Sequence, residues 1–219
     1  MHHQILETNF FKKTLRAKVT RTGLGEIYFK NFDPKACHAY PIIFEGQKIG
    51  ILETDMPEQK AKDTTHRLAA LLLGATNQER LDYACLLLKW VDEASRLVPD
   101  VADWIGLYFK ESWWLSSSSK DLIIGPYFGE VTEHVRISID RGICGMALRE
   151  ERVVNVQDVR ENPEHIACSL KTRSELVLPL QNKQGEFVAE LDIDSNKLNA
   201  FTPEIEKAFR DFAATFPQI

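Results

Sequence analysis

The sequence predicts an α+β fold: a central antiparallel sheet flanked by helices, preceded by an N-terminal β-rich extension. Three observations predict it. Runs rich in β-branched and aromatic residues occupy 13–54 and return from 103 to 195. Between them, residues 66–97 change to a helical period. The chain then closes on an amphipathic stretch with helix-capping chemistry at its start. We place the boundary after residue 62, giving 1–62 as the extension, of unassigned role, and 63–219 as one domain.

The extension reads as strands in KTLRAKVTRT (13–22), GEIYFKNF (25–32) and YPIIFEGQKIGILET (40–54). The pair Gly46-Gln47 reads as a hairpin turn. The polar stretch PEQKAKDTT (57–65) reads as a linker. Leu68, Leu71 and Leu72 then share one helical face. After a break at GATNQER, Leu81, Ala84, Cys85, Leu88 and Val91 repeat at helical spacing. On that face Cys85 reads as a buried structural thiol.

From 103 onward DWIGLYFKES, WWLSSS, DLIIGPYFG and HVRISI read as successive strands, with Ser116–Ser119 marking a turn or loop. RGICGMALREE runs from two glycines into a short helix, and VVNVQDV is a strand. ENPEHIACSLKTR is an irregular loop, since Pro163 disfavours helix for the residue before it. SELVLPLQN and GEFVAELDIDS are strands joined by a turn at NKQGE. In TPEIEKAFRDFAATF, Thr202 is the N-cap, Pro203 the first helical residue and Glu206 lies near the capping-box position. Ile205, Phe209, Phe212 and Phe216 form its apolar face.

Composition narrows the function. Among 219 residues, 44% are apolar, enough for an ordinary core, and the net charge is −5. Lys and Arg are scattered rather than striped, so no nucleic-acid partner is expected. The longest apolar runs, such as LAALLLGA (68–75), fall far short of the roughly 18 residues of a spanning helix, so no membrane is expected. The first residues carry no long apolar segment of a secretory signal, and a cytoplasmic location is expected. Structural disulfides are rare in that compartment. The four cysteines, Cys37, Cys85, Cys144 and Cys168, form no CxxC pair and no zinc-like spacing with histidine, so neither metal nor cofactor is expected. A Ser-His-Asp order, a Walker-type loop and a dinucleotide glycine fingerprint are all missing.

The chemistry that remains centres on Cys168, a thiol in a loop between strands, with His165 three residues before it. A protonated histidine or a loop of backbone N–H groups lowers a thiol's pKa. By itself the pattern fits an inert loop cysteine equally well, and His165 alone reads as a packing or hydrogen-bonding residue rather than a base. Asp192 and Asp194 point to the same side of their strand. Facing a pocket, they would hold one proton between them and attract an ammonium group; at an exposed strand end they would simply be solvated. Glu175, at the start of SELVLPL, gains interest only beside that pair. Cys144 in RGICGMA is a candidate second thiol.

Residues 65–219 resemble the free methionine-(R)-sulfoxide reductases, which are single GAF domains. The matching runs are DWIGLYF, LIIGPYFG, RGICGMA, DVRENPEHIACS, RSELVLPL and LDIDS, in that order. The resemblance implies a GAF fold, often dimeric, so a homodimer is among the expectations. It implies that Cys168 attacks the sulfoxide sulfur. Glu175, Asp192 and Asp194 would bind the substrate amino group and assist protonation of the oxygen. Trp104 and Tyr108 would wall the pocket, and Cys144 would play a secondary part. Free methionine sulfoxide is the implied ligand, and thioredoxin or another thiol reductant the implied partner.

Two departures stand out. The family's usual resolving cysteine lies in a run like KIACVRI, whereas here GEVTEHVRISI puts His134 and Val135 at that place. The family's GHIACD is EHIACS, with Glu164 for Gly and Ser169 for Asp. The alternative implied by these losses is a catalytically impaired GAF module that binds a small molecule or senses redox state.

Overall fold

Alternation shapes the first sheet. In a computed structural model, residues 17–21, 25–28, 37–163 and 169–218 are described. Strands β1 (Ala17–Arg21), β2 (Gly25–Tyr28), β3 (His38–Phe44) and β4 (Gln47–Thr54) form an antiparallel sheet in the order β2-β1-β4-β3. Ile42, Phe44, Gly50, Leu52 and Thr54 alternate inward along β3 and β4, the period-2 pattern of strands with one buried face. The β3–β4 turn sits one residue earlier than predicted. Glu45 and Gly46 are its centre, both at positive φ (45° and 79°), the paired left-handed geometry whose twist matches the flanking strands.

The predicted linker at 57–65 is instead the first half of a helix, α1 (Glu58–Leu72). The polar composition of this stretch hides the helix, because its stripe is carried there by small and hydroxylated residues: Ala61, Thr64 and Thr65 are buried, ahead of Leu68–Leu72. α1 packs on β3 and β4. A second helix, α2 (Gln78–Ala94), buries Leu81, Ala84, Leu88 and Val91. Cys85 is half-buried there, and desolvation pushes its thiol up to about 12, so it carries no thiolate at neutral pH.

The chain falls into two compact units, Met1–Asp92 and Glu93–Ile219. The second is built on six antiparallel strands in the order β7-β6-β5-β10-β9-β8: β5 (Trp104–Lys110), β6 (Leu122–Phe128), β7 (Arg136–Ile137), β8 (Val154–Val156), β9 (Ser174–Gln181) and β10 (Phe187–Ser195). WWLSSS is not a strand. After β5 the chain turns through a single helical turn, α3 (Glu111–Trp114), and the serines follow as loop. Trp114 folds back on Phe109 with ring centroids 4.4 Å apart, and Glu111 ion-pairs with Arg136. Both contacts require a reversal here rather than extension. HVRISI shrinks to the two residues of β7.

Helix α4 (Gly142–Glu150) packs on β8, β9 and β10. The last helix, α5 (Pro203–Ala213), packs on β9 with Phe209 fully buried. Thr202 caps it by accepting from Ile205 N–H, and Pro203 is its first residue, as predicted. Glu206 does not close a capping box. Its carboxylate accepts from Asn155 and Arg210 instead.

Candidate active site

The site is assembled on β10, a strand buried on both faces. Side chains alternate, so Ala189, Leu191 and Ile193 share one face while Glu190, Asp192 and Asp194 share the other. The register carries this split to the neighbours. Tyr108, Gly106 and Trp104 of β5 stand opposite Glu190, Asp192 and Asp194, and Glu175 of β9 stands opposite Asp194.

Gly106 keeps this surface open. A Cβ there would lie 2.5 Å from the Trp104 ring and 2.6 Å from Tyr127 Cβ, so only glycine lets those two side chains close over the strand. Trp104 stacks on Tyr127 at 5.4 Å and on Tyr108 at 6.2 Å. The Tyr108 hydroxyl donates to the His134 carbonyl at 2.7 Å, which ties this aromatic wall to the segment where the family's resolving thiol would stand.

A pocket of about 170 Å³ opens on these groups. Trp104 and Tyr108 form its aromatic wall, and Asp192 and Asp194 its acidic wall. The remaining lining comes from Asp103 and Asn196, at the ends of β5 and β10, and from two loops: Glu130–Thr132, and Ser169, Lys171 and Thr172. Lys171 Nζ reaches Glu130 Oε1 at 2.5 Å across the rim. Ser169 follows Cys168 in the chain. Cys168 itself, with Glu164 and His165, lies outside the described residues.

Glu175 and Cys144 do not line the pocket but lie against its acidic wall. Cys144, delivered by α4, has its Sγ 3.5 Å from Asp192 Oδ2 and 3.9 Å from Glu175 Oε1. Four carboxylates are therefore buried together. The fourth, Glu190, escaped the sequence reading although its phase with Asp192 and Asp194 was the available signal. Tyr127 and Lys171 were also missed; nothing local in the sequence marks either.

Electrostatics follow from that crowding. Burial first, then Asp194, raises the Glu175 carboxyl well above its usual range, opposed by the Cys144 contact. Burial first, then Glu175 and Glu190, does the same to Asp192. Burial first, then Asp192 and Asp103, raises Asp194. Glu190 is pushed up to about 8, chiefly by burial. Like charges this close cannot all ionise, so the wall keeps protons to higher pH than isolated carboxyls would. Such a wall donates protons and receives a cation. An adjacent aromatic wall supplies apolar contact.

Residues 58–216 match the family model for the GAF domain. The chain is 41% identical over 104 residues to the GAF domain-containing protein A of Dictyostelium discoideum, covering 48% of this chain and 61% of that protein. It thus spans less than two thirds of that relative's length. Among solved structures it resembles the type II free methionine-R-sulfoxide reductase of Thermoplasma acidophilum (32% identity, TM-score 0.50, 59% of this chain and 91% of that one). It also resembles the free methionine-R-sulfoxide reductase of Neisseria meningitidis in complex with its substrate (26% identity, TM-score 0.54, 73% and 88%). Among the described residues, no helix is long and apolar enough to cross a membrane.

Proposed function

The chain belongs to the GAF domain family, among the free methionine-(R)-sulfoxide reductases, and from that premise we propose that it reduces free L-methionine (R)-sulfoxide to methionine with Cys168 as nucleophile. One observation carries the reading. Asp192 and Asp194 share a pocket with Trp104 and Tyr108, and the residue after Cys168 lines the same pocket. The acids suit the substrate ammonium group, the rings its thioether chain, and Lys171 on the rim its carboxylate.

The chemistry needs a thiol and an acid. The Cys168 sulfur attacks the sulfoxide sulfur while a protonated carboxyl of the Glu175, Asp192 and Asp194 set donates to the sulfoxide oxygen. The attack forms an S–S bond. The protonated oxygen then passes from the substrate sulfur to the Cys168 sulfur as the substrate's S–O bond and the new S–S bond break, so methionine leaves and Cys168 is left as a sulfenic acid. Carboxyls that burial keeps protonated to higher pH are suited to this donation. Cys144 then takes the resolving role. Its thiol displaces hydroxide from the sulfenic acid, water leaves, and the resulting disulfide is reduced by thioredoxin or another dithiol.

The test is NADPH consumption coupled through thioredoxin, and separately turnover with dithiothreitol, on free L-methionine (R)-sulfoxide. We expect turnover by the intact protein and none by Cys168→Ser, which should still be stabilised thermally by the sulfoxide. Folded protein that turns over with neither reductant would sink the reading. Ligand stabilisation in that case would favour a binding module.

A further inference from the structure

The reductase reading uses Glu175, Asp192 and Asp194 and leaves Glu190 without a task. Glu190 is fully buried, and among the described residues neither of its carboxylate oxygens meets a hydrogen-bond donor; Asp192 Oδ1 is in the same state. An acid so placed costs stability unless something meets it. Cys144 and Glu175 are the groups that act on it. One donor atom each from Cys144, Glu175 and Asp192 lies within 4.8 Å of the other two, and all three residues are buried.

We propose that this nest is a binding site for a thiophilic divalent cation of the zinc class, held by Cys144 Sγ and the Glu175 and Asp192 carboxylates, with Glu190 beside Cys144 as a supporting acid outside the ligand set. The separations suit it. With Zn–S near 2.3 Å and Zn–O near 2.0 Å, a tetrahedral site has sulfur–oxygen edges of about 3.5 Å. The two observed are 3.5 and 3.9 Å. The sulfur ligand selects zinc-like ions over Mg²⁺ and Ca²⁺, which take oxygen ligands. Asp192 also lines the open pocket, which gives the ion an entry path.

The ion replaces protons. Among the described residues, the groups facing the nest are Cys144 from α4, Glu175 from β9, and Glu190, Asp192 and Asp194 from β10, with Asp103 acting on Asp194. All are acids, so binding releases protons and strengthens as pH rises. The consequence for turnover rests on the reductase reading: a cation on Asp192, Glu175 and Cys144 removes the substrate's acids and the resolving thiol together, leaving a reversibly blocked enzyme.

The probe is Co²⁺, titrated into the reduced full-length protein as a spectroscopic substitute for Zn²⁺. The expected result is one tight site with a near-ultraviolet thiolate-to-cobalt band, displaced by Zn²⁺ and untouched by Mg²⁺. Cys144→Ser should erase the band and weaken binding about 100-fold, whereas Cys168→Ser keeps it. Glu190→Gln should retain the band with about tenfold weaker binding. No band in the intact protein, a band that survives Cys144→Ser, or a band lost only with Cys168→Ser would each overturn the site. Turnover of metal-free protein is scored separately. Turnover without the band removes only the metal site, and the band without turnover removes only the reductase reading.

Discussion

The two faces of β10 share one backbone and the same depth of burial but carry opposite chemistry. Ala189, Leu191 and Ile193 are fully buried, and so, within 5%, are Glu190, Asp192 and Asp194. On the apolar face Leu191 sits between Leu107 and Leu178 in the cross-strand register, the usual content of a strand covered on both sides. On the acidic face each carboxyl loses hydration, and its neighbours are further acids and the Cys144 thiol. Depth of burial therefore says nothing by itself about sign. One face supplies stability, and the other lowers it to hold protonated acids beside a pocket.

Core truncation on the apolar face should have the largest effect on stability. Leu191→Ala is expected to cost about 3 kcal/mol in urea unfolding, because it removes buried contacts and leaves a cavity. Glu190→Gln, one residue away and equally buried, should instead raise stability at pH 7. If both substitutions destabilise alike, the acidic face is structural and the contrast fails.

The sign for Glu190 follows from its proton. Folded, it holds that proton up to about 8, well above its ordinary 4.5. Below about 4.5 both folded and unfolded chains are protonated and no stability is lost. Between about 4.5 and about 8 the unfolded chain gives up its proton while the folded one keeps it, so stability declines across that window. The intact protein should therefore melt at higher temperature near pH 5 than near pH 8. Glu190→Gln should flatten part of that slope and gain about 2 kcal/mol at pH 7. A gain that persists unchanged at pH 4 would show that titration is not its cause.

Much of this arrangement was legible in the sequence because it is local. The period-2 pattern in VAELDID placed Asp192 and Asp194 on one side, and Thr202-Pro203 marked the last helix to the residue. The misses are non-local. PEQKAKDTT looked like a linker because threonine and alanine carry a helical stripe without looking apolar. WWLSSS looked like a strand because its reversal is set by Phe109 and Arg136, neither of them within it. The thiol–carboxylate nest draws Cys144, Glu175 and Asp192 from three separate elements, so no spacing rule finds it. Glu190 is the exception: its phase was readable, but a glutamate before LDID looks like an ordinary solvated residue until the strand proves to be covered on both sides.

The outermost layer of the acidic face gives the smallest expected effect and the finest test. Lys171 is well exposed and paired with Glu130 at 2.5 Å, so Lys171→Ala should change stability by less than about 1 kcal/mol. Its place matters more than its pairing. Among the described residues, the other charged groups lining the pocket are Asp103, Glu130, Asp192 and Asp194, all acids. A ligand with only an ammonium group would bind no worse, and slightly better, once the lysine is gone. A zwitterion would lose the partner of its carboxylate. Lys171→Ala should therefore raise KM for free methionine sulfoxide about fivefold at low salt, with the difference shrinking as salt screens the exposed charge. KM for methionine sulfoxide amide, which lacks the carboxylate, should not rise. Equal losses on acid and amide would make Lys171 a surface residue and leave the acids alone to define what the pocket takes.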